Sequence, residues 1–144
     1  MVYIGCDHGG VELKNKLIDY IEAMGEEVKD LGACTSESVD YPDYGFAVGE
    51  AVAKDGGSRG IVICKTGVGM SICANKVKGV RCALCTSVDM GRLCREHNDA
   101  NVLALGASNT SAETALEIAK AFLTAEFAGG RHANRVGKIV SYEE

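Results

Sequence analysis

Cys64, Lys65, Thr66, Gly67, Val68, Gly69, Met70 and Ser71 follow the apolar run Gly60 to Ile63, a pattern that carries a thiol out of a buried strand into a glycine-containing turn. Backbone N–H groups at such a turn, where a helix begins, lack partners of their own and favour an anion or a developing oxyanion. The same position favours the thiolate of a neighbouring cysteine, the form that acts as base or nucleophile. Near the start, Cys6-Asp7-His8-Gly9-Gly10 puts a carboxylate and an imidazole at the end of another apolar run, and His97-Asn98-Asp99 stands just before a third. Arg131 and Arg135 are one helical turn apart, the spacing of a phosphate clamp. Each feature also has a plainer explanation: a buried strand cysteine is commonly a small hydrophobe, a histidine at a helix end a cap, and paired arginines a solvated patch.

Other chemistries fit poorly. The Gly67-Val68-Gly69 turn is not a dinucleotide fingerprint, since the third glycine would fall at Ile72, and the G-x-x-x-x-G-K-[ST] pattern does not occur. Cys82 and Cys85, three apart on a strand, point to opposite faces and make no metal or redox pair. The expectation is therefore no metal and no cofactor. Fifteen basic residues against twenty acidic ones leave a net charge of −5, which argues against nucleic-acid and anionic-membrane partners. The opening MVYIGCDHGG has no basic leader pattern, and no apolar run approaches the ~18 residues of a membrane span. Seven cysteines, an odd number scattered through apolar segments, read as reduced thiols in a cytoplasmic protein.

The elements that must position these groups follow from the apolar periodicity. A chain of 144 residues with 47% hydrophobic and 24% charged residues suits one domain over residues 1–144. Strands are expected at Val2 to Cys6, Glu27 to Leu31, Gly60 to Cys64, Val80 to Cys85 and Asn101 to Leu105. Helices are expected at Val11 to Met24, Tyr44 to Lys54, Met70 to Val77 and Val88 to Glu96. Thr110 and Glu113 have the spacing of a capping box before a helix lined by Ala112, Ala115, Leu116, Ala119, Phe122 and Leu123, and a last helical segment begins at Arg131. Strict alternation implies an α/β fold with a five-stranded parallel sheet covered on both faces. Ligands bind such sheets beyond the carboxyl ends of the strands. By that rule Asp7, His8, Cys64 and the turn after it, together with His97, are expected at one ligand edge.

Taken together, Cys6-Asp7-His8-Gly9-Gly10, Asp40-Tyr41-Pro42-Asp43-Tyr44, the run from Ile63 to Ile72, Ala74-Asn75-Lys76, His97-Asn98-Asp99-Ala100-Asn101 and Gly129-Gly130-Arg131-His132 resemble the ribose-5-phosphate isomerase B family, which includes the galactose-6-phosphate isomerase subunits. The resemblance implies a three-layer α/β/α Rossmann-like sandwich, a homodimer or dimer of dimers, and a site built from two subunits. It implies a metal-independent aldose–ketose isomerase acting on a phosphorylated sugar, ribose 5-phosphate to ribulose 5-phosphate, through a cis-enediolate. Carried over residue by residue, Cys64 resembles the base, Thr66 the hydroxyl supporting its thiolate, and Gly67, Val68, Gly69, Met70 and Ser71 the anion hole. His97 is similar to the ring-opening residue, and Asp7 and Asn98 to groups that hold the sugar oxygens. His8, Arg131 and Arg135 resemble phosphate ligands, with Tyr41 and Tyr44 near the substrate.

Two positions depart from that pattern. Lys65 replaces the glycine that commonly follows the cysteine, and its ammonium either turns to the site, where it favours the thiolate or meets an anion, or turns to solvent. Ser108 stands where the family commonly carries an arginine that binds phosphate. That loss leaves a hexose 6-phosphate (allose or galactose type) or an unphosphorylated sugar as alternative substrates; a separate alternative is a non-catalytic sugar-phosphate-binding subunit that kept the fold.

Overall fold

The computed structural model describes residues 1–143. Strands β1 (Val2–Cys6), β2 (Val28–Asp30), β3 (Arg59–Cys64), β4 (Cys82–Leu84) and β5 (Val102–Gly106) alternate with helices α1 (Val11–Ala23), α2 (Tyr41–Lys54), α3 (Val68–Asn75) and α4 (Val88–Asn98). Helices α5 (Ala112–Thr124) and α6 (Arg131–Tyr142) complete the chain. The strands form one parallel sheet in the order β2-β1-β3-β5-β4.

Side-chain alternation divides the core between the two faces of this sheet. Ile4, Cys6, Ile61, Ile63, Leu103 and Leu105 meet Leu17 and Ile21 of α1, Cys94 of α4 and Ile118 and Phe122 of α5 on one face. Val62, Cys64, Val102 and Ala104 meet Val48 and Val52 of α2 and Met70 and Ala74 of α3 on the other. A constant crossover hand explains the split. Connections that step from β1 to β2 and from β4 to β5 run one way along the sheet, whereas β2 to β3 and β3 to β4 run the other, so their helices fall on opposite faces. The α/β sandwich expected from the sequence is what is found.

The differences from expectation are local. Helix α2 begins at Tyr41 rather than Tyr44, because Pro42 sits in the first turn, where its missing N–H costs nothing. Helix α3 begins at Val68, and α4 continues to Asn98, so His97 and Asn98 form its last turn. The cap of α5 is Ser111, whose hydroxyl accepts from Thr114 N–H at 3.2 Å; Thr110 instead donates its hydroxyl to Gly106 O at 3.0 Å. Lys14, fully buried, is accommodated by Asp30 at 2.8 Å and the Ala33 carbonyl, which hold the β2 edge to α1.

The topology creates a crevice over the end of β3. The helix after β3 leaves toward one face, while those after its neighbours β1 and β5 leave toward the other. Such divergence opens space beyond the carboxyl edge. Cys64 stands at that place.

Candidate active site

Cys64 ends β3, 6% exposed, and its sulfur accepts a hydrogen bond from the Gly67 N–H at 3.2 Å. The turn can double back to make this bond because Gly67 has φ +80°, in the left-handed region that glycine enters freely. A Cβ there would stand 2.5 Å from Leu84 Cδ1 and 2.9 Å from the Leu105 carbonyl carbon, so no side chain fits. The turn is pinned from the β5 side: Ala107 N–H donates to Cys64 O, Ser108 N–H to Lys65 O and the Asn109 side-chain amide to Thr66 O. This pinning sets Lys65 and Ser108 side by side, both exposed.

Of the five residues expected to supply the anion hole, three have their N–H groups engaged. Gly67 N–H meets the sulfur, Val68 N–H donates to Thr66 Oγ1 at 3.3 Å, and Ser71 N–H donates to Gly67 O at 3.0 Å. The Gly69 and Met70 N–H groups have no acceptor among the described residues, as first-turn geometry requires, and are the donors open to an oxyanion. Thr66 therefore shapes the turn through Val68 N–H, and the group that touches the sulfur is Gly67. The Met70 side chain is fully buried in the core, leaving its backbone as its contribution.

Around this turn stand the other carboxyl-edge residues. Asp7, 8% exposed, accepts from Gly9 N–H at 2.9 Å, and its own N–H reaches Ile63 O, one residue from Cys64. His8 is exposed; its Nδ1 accepts from Val39 N–H at 3.2 Å, which leaves Nε2 as the outward donor. Tyr41 covers Gly69 so closely that a Cβ would lie 2.5 Å from its ring. Tyr44 is half-buried and packs beside Gly32 and the α2/α3 core instead of the turn.

His97 and Asn98 are elsewhere, which corrects the expectation of one shared edge. A crossover helix that starts above the carboxyl edge ends at the amino edge, and α4 ends just before β5 starts. Six residues of β3 separate the two edges, about 17 Å at ~3.3 Å per residue. At the amino edge His97 has its own company. The Ala128 N–H donates to Glu96 O at 3.0 Å and draws the start of α6 toward α4. His132 then stacks on His97, ring centroids 4.4 Å apart and planes within 10°. Arg131 and Arg135 lie one turn apart on α6 and are exposed, as their spacing implies. Partial desolvation, then the His97, Arg131 and Arg135 charges, push His132 below the ordinary histidine range. His132 is a site neighbour that the residue-by-residue reading missed; its signal in the sequence is adjacency to Arg131.

The chain thus carries two candidate half-sites, a thiol beside a turn with open N–H donors at one edge and imidazoles with guanidiniums at the other. Apolar surface flanks both: Tyr41, Val68 and Ile72 beside the first, Ile139, Val140 and Tyr142 on α6 beyond the second. Among the described residues no cluster of three His, Cys, Asp or Glu is placed to hold a metal ion, and no helix is long and apolar enough to cross a membrane. The seven cysteines are all free thiols, with Cys82 and Cys85 packed on opposite faces of the sheet as expected.

Comparison with known proteins agrees with this architecture over nearly the whole chain. The chain is similar to the solved ribose-5-phosphate isomerase B of Clostridium thermocellum, at 55% identity and TM-score 0.94, covering 99% of this chain and 96% of that one. It is similar to the Mycoplasma genitalium enzyme solved with bound ribulose 5-phosphate, at 40% identity and TM-score 0.96, covering 99% and 95%. D-erythrulose-4-phosphate isomerase of Pectobacterium atrosepticum is 41% identical over 99% of this chain and 94% of that protein. The Ribose/Galactose Isomerase family description matches residues 2–139. With that match and these relatives, the chain belongs to the Ribose/Galactose Isomerase family.

Proposed function

We propose that this protein is an aldose–ketose isomerase that interconverts ribose 5-phosphate and ribulose 5-phosphate through a cis-enediolate, with no metal or cofactor. The observation that carries the reading is the Cys64 sulfur held by Gly67 N–H, with the Gly69 and Met70 N–H groups open beside it. Isomerisation must move a weakly acidic carbon-bound proton next to a carbonyl. A placed base and donors aimed at the forming oxyanion each contribute a factor of roughly 10² or more. Cys64 takes the proton from C2 of the open-chain sugar and returns it to C1, while those two N–H groups stabilise the enediolate oxygen. Asp7 has carboxylate capacity left beyond its Gly9 bond to accept from a sugar hydroxyl.

In this reading His97 opens the furanose ring, Asn98 holds a sugar oxygen, and Arg131 and Arg135 bind phosphate with His8. One chain separates His97, Asn98, Arg131 and Arg135 from Cys64 by the length of the sheet, so these four come from a second copy, while His8 stands on the Cys64 side. A two-fold pair makes two composite sites and buries the exposed apolar faces of α3 and α6 against one another. We therefore read the protein as a homodimer, or a dimer of such dimers, acting in the cytoplasm as one isomerase domain. Neither a nucleic acid nor a membrane is a partner in this reading.

Ser108 favours a second reading of substrate. It is exposed beside Lys65 where a phosphate-binding arginine is expected, and a relative of comparable identity is named for a four-carbon sugar phosphate. A different sugar phosphate handled by the same base is the runner-up.

The test is proton NMR of the purified protein with ribose 5-phosphate in D2O containing a chelator. Conversion to ribulose 5-phosphate with deuterium entering at the transferred position is expected. Absence of both overturns the ribose assignment and directs the same assay to other sugar phosphates; binding with no exchange on any of them overturns the enzyme.

A further inference from the structure

A cavity of about 350 Å³ opens at the amino edge, between the α2–β3 turn and the starts of β4 and β5, and its lining includes none of the residues assigned to either half-site. Three arginines are among the residues that line it, Arg59, Arg81 and Arg95, with a single acidic residue, Asp99. Arg95 is 4% exposed and donates to Asp99 Oδ1 at 2.8 Å and to Ala100 O at 2.7 Å. Arg81 donates to Asp99 O at 3.0 Å and reaches Asp99 Oδ2 at 3.4 Å. Arg59 finds only the Gly57 and Ser58 carbonyls, both at 3.2 Å.

The cluster is under-neutralised. Asp99 is shared between two cations, and Glu26, the other acid acting on Arg59, is itself 3.8 Å from the Met1 amine. Burial first, then the nearby Arg95 and Arg81 charges, hold Arg59 below its ordinary range, while Asp99 and Glu26 pull the other way. A second observation points to the same wall. The Nε of Arg95 is the one buried side-chain nitrogen or oxygen without a hydrogen-bond partner among the described residues. Buried polar groups are ordinarily paired, so the orphan Nε leaves the Arg95 guanidinium with hydrogen-bonding capacity that its contacts to Asp99 and Ala100 do not use. Planar guanidinium forks match the oxygen spacing of phosphate.

We propose that Arg59, Arg81 and Arg95 form a second anion site at the amino edge, which takes a phosphate-type oxyanion and is distinct from the sugar-phosphate site. Asp99 directly follows Asn98, so an anion that draws Arg81 and Arg95 away from the Asp99 carboxylate acts on the helix end that carries His97.

Calorimetric titration with inorganic phosphate tests this on the full chain carrying Arg131→Ala and Arg135→Ala, which removes the clamp assigned to the substrate. Saturable binding is expected to persist, with amide shifts at Gly57, Gly79 and Asp99 in two-dimensional NMR. Adding Arg59→Gln, a half-buried position that makes no ion pair among the described residues, is expected to raise the dissociation constant tenfold or more. Adding Arg81→Gln in its place gives an independent second variant with the same expected direction. Loss of all saturable binding in the double-alanine chain overturns the proposal. So do shifts confined to the turn at Gly67 to Ser71, or a dissociation constant that neither glutamine variant moves by tenfold. No turnover enters the readout, so its failure leaves the isomerase reading standing.

Discussion

The Gly67 N–H points at the Cys64 sulfur from 3.2 Å, and no residue with a side chain can occupy position 67 to make that bond. The thiol and the turn that holds it are therefore one unit. Gly67→Ala forces a Cβ into Leu84 and the β5 backbone at a φ that L residues resist. The expected cost is about 2–4 kcal/mol of stability by urea denaturation. Turnover is expected to fall at least a hundredfold in whatever protein remains folded, with loss of Cys64 alkylation selectivity.

Cys64→Ala removes the proposed base without touching the anion hole. Isomerisation and solvent-deuterium exchange are expected to fall by roughly 10³ or more, while ribose 5-phosphate binding measured by calorimetry changes less than threefold. Retained exchange would move the base elsewhere.

Because Cys64 and His97 sit at opposite edges, two inactive chains should repair one another. Subunit mixing of Cys64→Ala with His97→Asn places both lesions in one composite site of each mixed pair and leaves its other site intact. About one quarter of wild-type activity is expected from statistical mixing of equal amounts. Recovery of none after verified exchange would show that each site is completed within one chain.

His132 gives a pH signature. Its proton affinity is depressed by partial desolvation and by His97, Arg131 and Arg135, so the unfolded chain takes up this proton first as the pH falls. The stability linked to His132 is therefore present above the ordinary histidine range and is lost as the pH drops through it. The imidazole C2–H resonance of His132 is expected to titrate below the ordinary histidine midpoint, and to move upward in His97→Gln. A midpoint unmoved by that substitution would separate the two rings electrostatically.

Ser108→Arg returns a guanidinium beside Lys65 on the turn that Ser108 N–H already bonds. KM for ribose 5-phosphate is expected to fall by about tenfold, the value of one charge-assisted contact, with kcat little changed. An unchanged or higher KM would put position 108 away from the phosphate.

Much of this architecture is legible in the chain. The Gly60 to Cys64 run reads as a strand buried on both faces, and Val62 and Cys64 do face α2 and α3 while Ile61 and Ile63 face α1 and α5. Leu13, Leu17 and Ile21 repeat at helical spacing and all are buried in α1. Boundaries are less legible where short-range signals compete. Thr110 and Ser111 are both capping types, and the choice falls to Ser111 because Thr110 is drawn back to Gly106 O.

The edge on which His97 lies escapes a reading by motif order alone. Proximity along the chain to β5 suggests the ligand edge, but the direction of α4 decides, and a helix returning between parallel strands delivers its last turn to the amino side. The His97–His132 stack escapes for a related reason: it depends on the α4–α6 contact, which no local pattern encodes.

In the proposed composite site, the span of sheet between Cys64 and His97 also turns catalysis into a matter of mass action. On that proposal a lone chain brings either half of the chemistry within reach of a given sugar but never both. Specific activity should then fall with dilution below the dissociation constant of the pair, and initial rates there should rise with the square of chain concentration. The cell's supply of this protein would accordingly set the quality of each molecule as well as the number of molecules at work.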